Sequence, residues 1–184
     1  MSELKKPQPA KLIMALLYSK AERLQQLKNK LEENFGPIDG ESPEFEFNHT
    51  RYYTEEMGEN LRKVILGFRK LINQENLVEI KLATNHLEQD FSQAGKRRVN
   101  IDPGYLTLDR LVVATGKNTA HRIYLGKGVY GDLTLIFQSG SFQPLPWTYP
   151  DYHSEKFIGI FNQLRKKLKE NLLSEKDDCE HKNR

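Results

Sequence analysis

Residues 11–19, KLIMALLYS, form the most restrictive stretch of the chain. A compact apolar run of this length, flanked by KPQP and a polar segment, reads as a strand buried in the middle of a sheet. A helix follows it. Ser19 and Glu22 have the Ser-x-x-Glu spacing of a capping box, and Leu24, Leu27, Leu31 and Phe35 recur at helical spacing. Gly36-Pro37 stops that helix, since glycine accepts a left-handed cap and proline cannot continue.

The pattern continues along the chain. EFEFN (44–48) alternates with period two and predicts a short, half-buried strand. Beyond the loop HTRYYTEEMGEN, LRKVILGFRKLI (61–72) predicts a long strand bent near Gly67. Leu77, Ile80, Thr84, Leu87 and Phe91 predict an amphipathic helix over 75–93, capped by Gly95. RVNID (98–102) predicts the next strand, ending in an Asp102-Pro103-Gly104 turn. The order β-α-β-β-α-β is the split arrangement of a ferredoxin-like core, an α+β fold with helices on one face of an antiparallel sheet.

The rest extends that core. TLDRLVVAT (107–115) predicts a short helix, although its Val112-Val113 pair also suits a strand. HRIYLGKGVYGDLTLIFQSGSFQPL (121–145) predicts a hairpin or meander turning at Gly126-Lys127-Gly128 and at Ser139-Gly140. Phe157, Phe161, Leu164, Leu168 and Leu172 predict a C-terminal helix. The expected organisation is one domain over 10–173, between a flexible 1–9 and a disordered polar tail at 174–184.

Composition limits the function classes. A chain of 184 residues can build a core without disulfide or metal staples. A net charge of +3 is too small to predict nucleic-acid binding, and the strands lack paired RNP-type aromatics. The lone Cys179, the lack of a signal-like apolar stretch and the lack of a membrane-length segment predict a cytoplasmic protein.

Familiar catalytic signatures fail. AGKR, TGKN and LGKG each contain Gly-Lys, but none has the Ser or Thr and the preceding glycine of a P-loop. His49, His86, His121, His153 and His181 show no ligand-like spacing, so the sequence identifies neither a metal nor a cofactor. The positive signal is a cluster between 95 and 132. Arg97 and Arg98 precede a strand, Asp102 ends it beside Tyr105, His121 and Arg122 open another, and Lys127 sits in a glycine turn. Arginine forks and lysines suit phosphate or carboxylate groups. Arg97, Arg98, Tyr105, Arg122 and Lys127 are therefore candidate ligand contacts. Asp102 and His121 are candidate catalytic groups, a base and its partner. The competing reading is plainer: the basic triplet complements a helix end, Asp102 caps its own turn and GKG is a hairpin. His49, Tyr52, Tyr53, Glu55 and Glu56 form a second candidate, as a ligand loop or a surface excursion. Trp147, Tyr149 and Tyr152 either pin a connection or offer a stacking surface.

AKLIMALLYS, FGPID, YYTEEMG, KRRVNIDPGYLTLDRLVVATGKN, AHRIYLGKGVYGDLTLIF and PLPWTYPDY together resemble a bacterial family described as a domain of unknown function. The resemblance runs from about Pro9 to about Leu172. Some members carry the label GTP-binding protein, so it implies a nucleotide ligand, but the chain has no Asp-x-x-Gly, and its nearest approach to Asn-Lys-x-Asp is Glu175-Lys176-Asp177-Asp178. The expected function is binding of an anionic small molecule such as a nucleotide. The alternatives are an enzyme acting on a phosphorylated metabolite by acid/base chemistry and a non-catalytic interaction module. No membrane partner is expected, and an exposed edge strand is the expected route to a homo-oligomer.

Overall fold

The computed structural model describes residues 3–47 and 54–182, without the side chains at 21, 22, 54, 55 and 175–182. The expected ligand-loop residues His49, Tyr52 and Tyr53 lie outside the described residues, as do the side chains of Glu22 and Glu55.

The apolar run forms β1 (Ala10–Tyr18), buried at every position. It pairs antiparallel with β4 (Arg62–Ile72) on one side and with β5 (Val99–Leu106) on the other. Its two faces are covered separately. Leu12, Met14, Leu16 and Tyr18 pack with Leu24, Leu27 and Leu31 of α1 (Ala21–Phe35) and with Ile80 and Leu87 of α3 (Leu77–Asp90). Ile13 and Ala15 turn to the other layer, where Phe157, Phe161, Leu164 and Leu168 of α4 (Glu155–Lys182) close the core. The fold is α+β: three long helices on two sides of a nine-stranded antiparallel sheet, among the described residues.

The sheet order is β2 (Ile38–Glu41), β4, β1, β5, β6 (Arg110–Thr115), β8 (Val129–Gln138) and β7 (Arg122–Gly126). β3 (Phe45–Glu46) pairs with β4, and β9 (Ser141–Pro144) with β8. Both registers along β4 shift at Gly67, the position where the sequence predicts a bend. A Cβ there would meet Leu164 Cδ2 at 2.6 Å, so the bare backbone lets α4 lie close. The turns at Lys127-Gly128 and Ser139-Gly140 carry positive φ throughout, the backbone a two-residue hairpin requires.

Several expectations are corrected. α1 is preceded by Lys20 as N-cap with no side-chain cap bond, so Ser19 does not open a capping box. β2 has no alternating signature, being the polar IDGE, and forms by pairing to β4. α3 ends at Asp90, and Gly95 instead shares a tight turn with Ala94, both at positive φ, between the bridged Gln93 and Lys96. Residues 107–115 are not a helix. Thr107 Oγ1 accepts the Asp109 and Arg110 amides to make a hairpin turn, and Val112-Val113 then lie between β5 and β8. Tertiary pairing of a β-branched pair outweighs the local helical pattern. Asp102-Pro103-Gly104 is not a turn either; it runs straight through β5, opposite Ala15, Met14 and Ile13.

Candidate functional site

β5 is paired to β6 only at Gly104–Leu106, so its first half has no strand on that side. α3 satisfies this edge instead. Glu88 Oε1 accepts the Ile101 amide at 2.7 Å, and Lys81 Nζ donates to the Ile101 carbonyl at 3.0 Å. Strand alternation points the Pro103 nitrogen the same way as the Ile101 amide, towards the stretch that β6 has not reached. A residue with no N–H to offer therefore sits where the sheet divides. At Gly104 the strands meet again, so closely that a Cβ would lie 2.5 Å from the Val112 carbonyl.

A cavity of about 660 Å³ occupies the division. Its walls are β5 (Asn100, Asp102), α3 (Lys81, Asn85, Glu88), the end of β6 with the two residues after it (113–117), β8 (Asp132, Thr134) and the turn at 149–152. Five cations and four carboxylates line it, and four of those cations form the ion pairs that follow. Arg97 holds Glu56 through two bonds of 2.8 Å, and also reaches Glu88 and Asn100 at 3.3 and 3.2 Å. Asp102 accepts Asn100 Nδ2 at 2.8 Å and lies 3.7 Å from Lys81 Nζ. Arg122 Nε donates to Asp132 at 2.8 Å across the β7–β8 register. Lys63 pairs with Asp151 at 2.5 Å, its ammonium 4.5 Å from the Tyr152 ring centroid.

The environment tunes these groups. Burial pushes the Glu88 carboxyl up, against the pull of Lys81. Hydrogen bonds from Arg97 hold the Glu56 carboxyl below the usual carboxylate range, and Glu56 in turn keeps Arg97 more firmly protonated. Burial raises the Tyr105 hydroxyl.

Of the sequence candidates, Arg97, Asp102 and Arg122 line this cavity. His121 stands beside it. Its Nε2 is 3.3 Å from Asp132 Oδ2, and its ring stacks on Trp147 at 5.4 Å, so its carboxylate partner is Asp132. Arg98 points elsewhere, into a smaller cleft with Lys20, Arg23 and Glu59. Tyr105 packs with Leu77 and Val112. Lys127 forms an exposed pair with Glu79 at 2.5 Å. Tyr149 and Tyr152 line the cavity, whereas Trp147 Nε1 donates to the Leu133 carbonyl at 2.9 Å.

Sequence reasoning missed Lys63, Lys81, Glu88, Asn100, Asp132 and Asp151. A signal existed for two of them. Lys81 and Glu88 fall four residues after Leu77 and Thr84, on the inward side of an amphipathic helix. Among the described residues, no group of three or more His, Cys, Asp and Glu side chains is arranged to hold a metal ion. No described helix is long and apolar enough to cross a membrane.

No curated protein and no solved structure matches the chain. A family model does, over residues 8–168, which takes in β1 through the first half of α4 and every wall of the cavity. The chain therefore belongs to the family described as Domain of unknown function (DUF4416).

Proposed function

We propose that the cavity between β5 and β6 binds a small polyhydroxylated molecule carrying one anionic group, such as a sugar phosphate. The pairing of its charges carries this reading. Lys63, Arg97 and Arg122 each already serve a carboxylate, leaving little excess positive charge for a triphosphate. A ligand with one anionic group and several hydroxyls uses both halves of such pairs. Its anion meets the lysine and arginine donors, and its hydroxyls donate to Asp102 and Asp132. The volume lies within the roughly 300–1,000 Å³ typical of small-molecule sites.

A thermal-shift series tests this with hexose monophosphates, nucleoside monophosphates and nucleoside triphosphates. A ligand at a hundred times its Kd stabilises by about 2.7 kcal/mol, roughly 5–10 °C for a chain of this size. A rise with hexose monophosphates supports the proposal. A rise with triphosphates alone supports the nucleotide reading instead.

The His121–Asp132 contact favours a second reading, acid/base chemistry on the same ligand, with Asp132 rather than Asp102 orienting the imidazole. In that case His121→Asn abolishes turnover while leaving the thermal shift intact. The β1-α1-β2-β4-α3-β5 portion is further read as a ferredoxin-like unit. Its strand order β5-β1-β4-β2 and its two helices on one face support that reading.

A further inference from the structure

We propose that β7 is a dimerisation strand, pairing antiparallel with β7 of a second copy about a twofold axis through Tyr124. The two edges of the sheet are treated differently. At one end β2 is four residues long, carries Asp39 and Glu41, and has its Asp39 carbonyl bonded by Lys167 Nζ. Charge, brevity and a side-chain cap are the devices that keep an edge from recruiting another strand. β7, at the other end, is also short and has a register shift between Tyr124 and Gly126, but it carries no charged side chain over residues 123–126. Ile123, Tyr124 and Leu125 are instead 71%, 60% and 42% exposed, three consecutive large apolar residues on an unpaired edge.

The strand is complementary to itself. A twofold axis at Tyr124 sets Ile123 opposite Leu125 of the partner subunit, and Leu125 opposite Ile123 of the partner subunit. Arg122 falls opposite Gly126 of the partner subunit, so no like charges meet within the strand. Ile123 and Leu125 share one face with Gly131. Leu125 Cδ1 and Val112 Cγ1 would lie 3.2 and 3.3 Å from a Cβ placed there. That face continues the apolar cluster of Val112, Val129 and Leu133, so pairing extends an existing layer across the axis. On the other face, Tyr124 already packs on Tyr130 at 5.2 Å, which holds its ring upright beside its symmetry mate. The interface is isologous and closed, which yields a dimer rather than a fibre. Only five residues pair on each side, so the association is concentration-dependent.

Sedimentation equilibrium from micromolar to submillimolar concentrations reads this directly. The mass of the wild-type chain rises towards twice 21.4 kDa. Ile123→Lys, which adds a charge at an exposed edge position, stays monomeric with an unchanged melting temperature. A second test reads the register. In a Cys179→Ser background, Tyr124→Cys crosslinks on oxidation, because directly opposed strand residues lie about 4.5–5.5 Å apart at Cα, within disulfide range. The exposed control Leu173→Cys does not, and adding Ile123→Lys abolishes the crosslink formed by Tyr124→Cys. A wild-type chain that remains monomeric throughout overturns the proposal. So does a dimer that Ile123→Lys leaves intact, or a crosslink yield for Tyr124→Cys no higher than that of the control.

Discussion

Single charged residues placed among apolar ones organise both the core and the cavity. Lys11 is wholly buried in the central strand, and its ammonium donates to Asp39 at 2.8 Å and to the Phe68 carbonyl at 2.9 Å. Burial lowers its pKa, and Asp39 is the group that opposes the fall. Removing one member of such a pair leaves the other uncompensated. Lys11→Ala therefore loses about 3–5 kcal/mol of stability by urea denaturation. In the sequence Lys11 looks like the polar flank of an apolar run, because its burial depends on β2 and α4, which are distant in the chain. Glu88 gives a pH-dependent counterpart. Its raised pKa means that the folded chain keeps a proton which the unfolded chain has already lost. That contribution is complete below the ordinary glutamate value and disappears as pH rises through the raised one. Melting curves from acid to neutral pH should thus show a decline above the ordinary carboxylate range that Glu88→Gln flattens. Glu56 acts in the opposite sense, its contribution being lost as pH falls through its lowered value.

At the level of elements, local pattern is a good guide wherever an element obeys its own periodicity. α1 and β1 are legible for that reason: one apolar stripe in the first, an unbroken apolar run in the second. β6 is not. Only its Val112-Val113 pair hints at a strand, because its hairpin turn is made by the Thr107 hydroxyl and its burial comes from strands on both sides. Asp-Pro-Gly misleads for a related reason, since those residues favour turns in isolation. Here the three act separately. Asp102 faces the cavity, Pro103 meets an edge with no partner, and Gly104 admits the β6 backbone. Gly104→Val follows from the last point. Its Cβ would meet the Val112 carbonyl at 2.5 Å. Forcing β5 and β6 apart should cost about 1–3 kcal/mol and weaken ligand binding, read by chemical denaturation and by loss of ligand-induced stabilisation.

Among the described residues, the sheet divides where β5 parts from β6, and a cavity lies at the division. Chain order does not reveal this, because the cavity draws on β4, α3, β5, β6, β7, β8 and the turn before α4. The cluster between residues 95 and 132 is visible as a concentration of charge, and three of the candidates read from it, Arg97, Asp102 and Arg122, do line the cavity. Arg98, Tyr105 and Lys127 do not, since residues adjacent in sequence can emerge on opposite faces of a strand or at the far end of a hairpin. This separation supplies the controls for the central claim, that the division between β5 and β6 is a ligand site. Isothermal titration calorimetry with a hexose monophosphate should find one site in the wild-type chain, and the same affinity in Arg98→Ala and Lys127→Ala. In Asp102→Asn, which keeps the Asn100 contact but removes a hydroxyl acceptor's charge, affinity should fall about tenfold or more, the equivalent of one charge-assisted hydrogen bond. Absence of binding in the wild-type chain, or binding that Arg98→Ala removes and Asp102→Asn leaves untouched, contradicts the account.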